Sequence, residues 1–145
     1  MKTIVVGTDG SPSSMQAVEH AATLASALQA DLHIACAVRP PIEVASMNPM
    51  GAAFLPNWAE AANAEAAAAV ARAAEVAHQA GATAEGHVLN GEPATALIEF
   101  SERVRADLLV LGSKGMKGPA RFLLGSVPNR CAHHAHCSVL IVRTT

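Results

Sequence analysis

The sequence predicts an α/β fold, an open parallel sheet with helices on both faces. Short runs of Val, Ile and Leu recur along the chain. Between them lie longer segments whose apolar residues fall at helical spacing, giving the order βαβαβαβαβ. Composition points the same way. Hydrophobic residues make up 51%, much of it alanine, while aromatics are 3%, with one Trp and no Tyr. A core of Ala, Val, Leu and Ile suits helices packed closely on a sheet. The 145 residues suit one domain, 1–145, with a real core.

Thr3-Ile4-Val5-Val6 is a β-branched run ended by Gly7, and it reads as a strand buried on both faces. Thr8-Asp9-Gly10 is the turn after it. Ser11 followed by Pro12 is a helix cap with proline at the first helical position. Ala17, Val18, Ala21, Leu24, Ala25 and Leu28 then form one helical stripe. Leu32 to Val38 is the second strand, stopped by Arg39-Pro40-Pro41. Residues 39 to 58 hold four prolines, Gly51, Met47 and Met50, and read as a long irregular connection, a kind that is usually functional or mobile. An alanine-rich helix runs from Trp58 to about Ala80, with Gly81 as its C-cap. Core packing is the default for its apolar face; cover for a ligand or contact with a partner is the alternative.

Thr83 to Leu89 is the third strand, weakened by Gly86. Asn90-Gly91-Glu92-Pro93 turns into a helix from Ala94 to about Val104, whose buried stripe is Leu97, Ile98, Phe100 and Val104. Leu108 to Leu111 is the fourth strand. The last helix spans roughly Val127 to Ala135, and Ser138 to Val142 is the fifth strand.

The formal net charge is -2 and no block of like charge stands out, so the electrostatic footprint of nucleic-acid binding is missing. Mean hydropathy is +0.28, yet charged residues break every alanine-rich stretch well short of a membrane span. Met1-Lys2-Thr3 enters a strand at once, without a signal-peptide layout. Three cysteines, Cys36, Cys131 and Cys137, form no zinc-ribbon pair. Reduced thiols packed as small apolar residues in a cytoplasmic protein are the simplest account.

The chemistry concentrates after the fourth strand. Leu111-Gly112-Ser113-Lys114-Gly115, nine residues, then Gly125-Ser126-Val127 make a phosphate cradle. Glycines let backbone N–H groups approach an anion, and Ser126 stands where a helix begins. Lys114, Lys117 and Arg121 lie between the glycines as positive charge. In a parallel sheet, ligands bind beyond the carboxyl ends of the strands where strand order reverses. The turn Gly7-Thr8-Asp9 would then face the cradle across one crevice, with Ala37 and Val38 as a side wall. A carboxylate opposite an anion cradle suits a nucleotide, because Asp9 can accept from a base amine or a ribose hydroxyl. The plainer role for Asp9 is a turn residue that binds local backbone N–H groups; ligand contact is favoured.

These residues resemble a family. Val5-Val6-Gly7-Thr8-Asp9-Gly10-Ser11 is similar to the opening motif of universal stress proteins. Gly112, Gly115, Gly125 and Ser126 resemble their Gly-x2-Gly-x9-Gly-Ser signature, and the stretch from Val127 through His133-His134-Ala135 to Arg143 is similar to their C-terminal end. The resemblance covers the whole chain. It implies a Rossmann-like, adenine nucleotide alpha hydrolase-like sheet in the order 3-2-1-4-5. It also implies a homodimer paired through the last strands, and ATP, with or without Mg2+, as ligand. By motif position, Asp9 and Ala37 would meet the adenosine, Gly112 and Gly115 the ribose and phosphates, and Gly125, Ser126 and Val127 the phosphate. Pro128 departs from the Ser or Thr that many ATP-binding members carry. It removes a hydroxyl and an N–H, so AMP or cyclic AMP stands as the alternative ligand.

The implied role is a regulator of the stress response, in which nucleotide binding would shift residues 39–58 or the dimer. A slow ATP hydrolase needs a base or metal ligand near the terminal phosphate. Asp9 is the acidic residue placed near the site, and at its other end, so no catalytic residue is assigned. A scaffold with a vestigial site is opposed by the intact glycine signature. His133 and His136 have ligand spacing for a helix, but the helix ends there, and interaction with its dipole is the favoured reading; no metal site is assigned.

Overall fold

The computed structural model describes residues 1–39, 49–114 and 124–144. The elements run β1 (Thr3–Gly7), α1 (Pro12–Leu28), β2 (Asp31–Val38), α2 (Pro49–Gln79), β3 (Ala84–Asn90), α3 (Pro93–Arg103), β4 (Leu108–Gly112), α4 (Ser126–His134) and β5 (Ser138–Val142). The five strands form one sheet in the order β3-β2-β1-β4-β5, and every neighbouring pair is parallel.

Successive residues of a strand point to opposite faces, so each central strand feeds two cores. Ile4, Val6, Ile34, Cys36 and Val110 pack under α1 and α2. Val5, Ala35, Leu109 and Leu111 pack under α3 and α4, together with Leu97, Phe100 and Cys131. This explains why β1 and β4 read as continuous apolar runs: Ile4, Val5, Val6, Leu109 and Val110 are all fully buried.

The helix starts obey their local chemistry. Ser11 is extended at the cap of α1, and its Oγ accepts from the Ser14 amide at 3.2 Å. Gln29 closes that helix in the left-handed region at φ 53°. Gly81, at φ +90°, follows α2 where only glycine sits without strain. The long helix starts earlier than expected. Residues 49–57, read from their prolines and glycine as irregular chain, are helical. Pro49 occupies the first turn, where its missing N–H is harmless, and the alanine-rich sequence beyond it outweighs the cost of Pro56. Residues 40–48 of the expected connection lie outside the described residues. No helix among the described residues is long and apolar enough to cross a membrane.

Glu92 is the cap of α3. Its carboxylate accepts from the Ala94 amide at 3.2 Å, and from the amide and hydroxyl of Thr95 at 2.8 and 2.9 Å. It also pairs with Arg130 of α4 at 2.8 Å and with Arg39 at 3.3 Å. One side chain therefore ties the exit of β2 to the starts of two helices. Burial opposes its ionisation, but the Thr95 and Ala94 donors and the Arg130 guanidinium outweigh that and hold it below the ordinary 4.5. A depressed carboxylate contributes stability above its unfolded pKa and loses it as pH falls through the folded one. Glu92→Gln is therefore expected to be less stable than wild type at pH 7 by about 0.5–2 kcal/mol. That difference should shrink as the pH of urea denaturation is lowered below 4.5; a difference that is flat with pH would show that charge plays no part.

Candidate functional site

Strand order reverses between β1 and β4, whose carboxyl ends lie side by side: Val6 pairs with Val110, and a Cβ on Gly7 would meet Leu111 Cδ2 at 2.8 Å. This is where a parallel sheet opens a ligand crevice. The turn after β1 is tightly built. The Thr8 amide donates to the Ala35 carbonyl at 2.9 Å, joining it to β2. Thr8 Oγ1 contacts Ser14 Oγ at 2.7 Å and accepts from the Gly10 amide at 3.1 Å. Thr8 is buried, so its hydroxyl serves the turn. Asp9 is exposed, and its Oδ1 accepts from the Ser11 amide at 2.9 Å. The local turn role expected as its plainer alternative is therefore present. Gly10 has φ +83°, and a Cβ there would lie 3.1 Å from Ala69 Cβ and 3.4 Å from Arg72 Nη2.

Across the reversal, the chain leaving β4 is fastened at three points. The Ser113 amide donates to the Val142 carbonyl at 2.8 Å, and Ser113 Oγ accepts from the Thr144 amide at 3.1 Å. Ser13 Oγ, in the first turn of α1, donates to the Lys114 carbonyl at 2.8 Å. The Gly125 amide donates to the Ser113 carbonyl at 3.1 Å, which brings the start of α4 back beside the end of β4. A Cβ on Gly112 would meet Thr144 Cγ2 at 3.2 Å and the Ser13 carbonyl at 3.6 Å, so the protein itself approaches this glycine closely.

Gly125 caps α4 with extended backbone, and among the described residues no side chain caps that helix. The Asn129 amide is already bonded to the Gly125 carbonyl, and Pro128 has no N–H. The first-turn amides of Ser126 and Val127, with the exposed Ser126 hydroxyl, are the donors that this end presents. Lys114, two residues past the end of β4, is buried.

The structure thus brings together Gly7, Thr8, Asp9, Gly112, Ser113, Lys114, Gly125, Ser126 and Val127 at one end of the sheet. Ala37 and Val38 end β2 on the far side of β1, two and three residues beyond the Ala35 that pairs with Gly7. The side chains of Leu111 and Val38 belong to the cores and offer a ligand only backbone. Gly115, Lys117 and Arg121 lie outside the described residues. Ser13, at the start of α1, joins the two turns. Arg72, which reaches Gly10 from the third turn from the end of α2, escaped sequence reading, because its place depends on how helices pack. Burial first, and then the carboxylates of Asp9 and Glu65, push the Cys36 thiol up. Burial likewise pushes Cys131 up to about 11, so these thiols are protonated packing residues, as expected.

Comparison with known proteins agrees with this architecture. Residues 1–143 match the Universal stress protein family. A universal stress protein of Mycobacterium tuberculosis is 42% identical over 147 residues, which cover 99% of this chain and 97% of that one. A universal stress protein solved in complex with cAMP is 39% identical, with a TM-score of 0.74 over 99% of this chain and 98% of that one. The universal stress protein UspA from Lactobacillus plantarum is 25% identical, with a TM-score of 0.85 over 98% and 97% of the two chains. The sheet order, the paired turns at its reversal and these matches together make this chain a member of the universal stress protein family.

Proposed function

We propose that this chain binds an adenine nucleotide between the ends of β1 and β4 and acts as a nucleotide-responsive regulator. The observation that carries the reading is the uncapped start of α4, fastened by the Gly125–Ser113 bond beside the end of β4. Gly125, Ser126 and Val127 take a phosphate. Gly112, Ser113, Lys114 and Gly115 run along the ribose and phosphates. Asp9, with Ala37 and Val38, faces the adenosine. The relative solved with cAMP supports an adenine ligand carrying one phosphate.

Pro128 favours the same choice. Its ring removes a third amide from the first turn, and a hydrogen bond to a charged group is worth about 1.5–3 kcal/mol. ATP with Mg2+ is the second reading, favoured by the complete Gly112-x2-Gly115-x9-Gly125-Ser126 spacing. Denaturing freshly purified protein and identifying the released nucleotide by chromatography and mass tests the proposal, with calorimetry of cAMP, AMP and Mg-ATP beside it. cAMP or AMP should bind more tightly than Mg-ATP. Pro128→Ser should raise affinity for ATP about tenfold, as expected for one restored donor. Mg-ATP binding far tighter than either monophosphate in wild type would overturn the single-phosphate choice.

A homodimer through β5 belongs to the same reading. β5 is an edge strand, yet Val139, Leu140 and Ile141 are each only half-buried on it. Unpaired strand edges with apolar residues are normally covered. Sedimentation should give a dimer that Leu140→Lys splits; a wild-type monomer would remove this element of the proposal.

A further inference from the structure

Outside the nucleotide crevice, two imidazoles and a carboxylate converge on the face of the sheet covered by α3. His33 is the third residue of β2, in register with Val5 on one side and Glu85 on the other. Glu85 and His87 are two apart on β3, so both side chains leave the same face. The neighbouring strand places His33 beside them. His33 Nδ1 is 3.0 Å from His87 Nε2 and 3.7 Å from Glu85 Oε2, and His87 Nε2 is 3.9 Å from Glu85 Oε1.

We propose that His33, Glu85 and His87 form a binding site for a divalent first-row transition-metal ion of the zinc type. With metal–nitrogen bonds of 2.0–2.1 Å, ligand atoms on a tetrahedron are about 3.3 Å apart. The three separations bracket that value, and all three donor atoms lie within 4.8 Å of one another. Two imidazole nitrogens and one carboxylate oxygen suit Zn2+ and its neighbours, and are poor for the hard cations Mg2+ and Ca2+. Three protein ligands leave a fourth position open to water or a small ligand.

The rings are held in place. Phe100 of α3 lies against both, with centroids 4.5 Å from His87 and 6.0 Å from His33. His33 and His87 are mostly buried, whereas Glu85 is largely exposed and free to swing onto an ion. Arg103 stacks on the same Phe100 ring, 5.4 Å from its centroid. Its charge works against a dication, and the Glu85 carboxylate offsets it. The exposed Glu85 carboxylate opens the site to solvent. β3 is the outer strand of the sheet, so a bound ion clips an edge to its neighbour.

Zn2+ alone is the probe, added to chelator-treated wild-type protein at neutral pH. Calorimetry should show one saturable ion per chain, and nitrogen NMR should show the His33 and His87 rings, among the seven histidines, shifting on binding. His33→Gln and His87→Gln should each weaken binding by more than about 100-fold, beyond the 10–100-fold typical of residues that only support a ligand. His133→Gln with His136→Gln should leave it unchanged. Glu85→Gln should weaken it less than either imidazole substitution, since water can replace an exposed carboxylate. No saturable binding by wild type would overturn the proposal, and so would shifts confined to other histidines. In that case the 3.0 Å contact is a plain hydrogen bond between one protonated and one bare imidazole nitrogen. The NMR result needs no variant, so a substitution that unfolds the protein leaves the test intact.

Discussion

Gly125→Asp is expected to leave the free protein as stable as wild type, or slightly more stable, while weakening nucleotide binding by about 100-fold, the equivalent of one to two hydrogen bonds to a charged group. The two effects part because the same residue is both a helix cap and the phosphate contact proposed above. Gly125 has φ -60° and ψ 160°, extended backbone that any residue adopts. A Cβ there would meet the Ser113 carbonyl at 3.4 Å and Pro128 Cδ at 3.5 Å, ordinary contacts. Aspartate is among the preferred cap residues, and its charge is favourable at a helix start by about 0.3–1 kcal/mol. Its carboxylate would take the amides of Ser126 and Val127, the donors proposed for the phosphate, and repel the anion as well. Gly125→Asn separates the two causes, since a neutral cap competes for the amides without the charge. It should fall between wild type and Gly125→Asp in affinity. Thermal melts of the apo proteins beside calorimetric titrations with cAMP read both effects. An aspartate variant that binds cAMP as wild type does would move the phosphate away from α4.

The part of the fold that the sequence announces is the part made locally. Strands Thr3–Gly7 and Leu108–Gly112 are apolar because both faces are covered, and that leaves a mark on every residue. Caps at Ser11 and Gly81 are single-residue chemistry. Gly112 belongs with them, since the close approach of Thr144 leaves little room for a Cβ there. What stays hidden depends on register and packing. Asp9 has one identity in the sequence and two available roles, and only the fold shows its bond to Ser11. Arg72 reaches Gly10 because α2 lies across the start of α1, and nothing around residue 72 says so. His33, Glu85 and His87 are separated by 52 and 54 positions along the chain from the first to the others. They meet because β2 and β3 pair with that register and no other. The pattern Glu-x-His on a strand is a weak signal without its cross-strand partner. Pro56 misled in the opposite direction: a strong local rule was overridden by the long alanine-rich helix around it.

Gly86 is a sharper case, because local and tertiary arguments predict opposite signs. On propensity alone, Gly86→Ala should stabilise β3 by about 0.5–1 kcal/mol, since alanine surrenders less backbone entropy. Packing predicts the reverse. Gly86 pairs with Ile34 of β2, beneath α2, and a Cβ on it would fall inside the Cγ1 methyl of Val70. Val70 is nearly buried, in a row with Ala66, Ala73 and Ala77. Valine in a helix has essentially one χ1 rotamer, so the methyl cannot turn away cheaply. The helix would have to lift, opening the alanine-lined contact along its length. Overpacking of this kind costs about 1–3 kcal/mol, which exceeds the entropic gain. Gly86→Ala is therefore expected to lower stability in urea denaturation. Val70→Ala alone also destabilises, through the cavity it leaves. The double variant places one methyl where the other was removed, and should recover at least about 1 kcal/mol of the summed losses, within the coupling seen for residues in contact. Additive losses would mean that α2 accommodates the extra methyl elsewhere. A stabilised Gly86→Ala would mean that the helix does not press on β3 at all, and the glycine would then be an ordinary weak point of an edge strand.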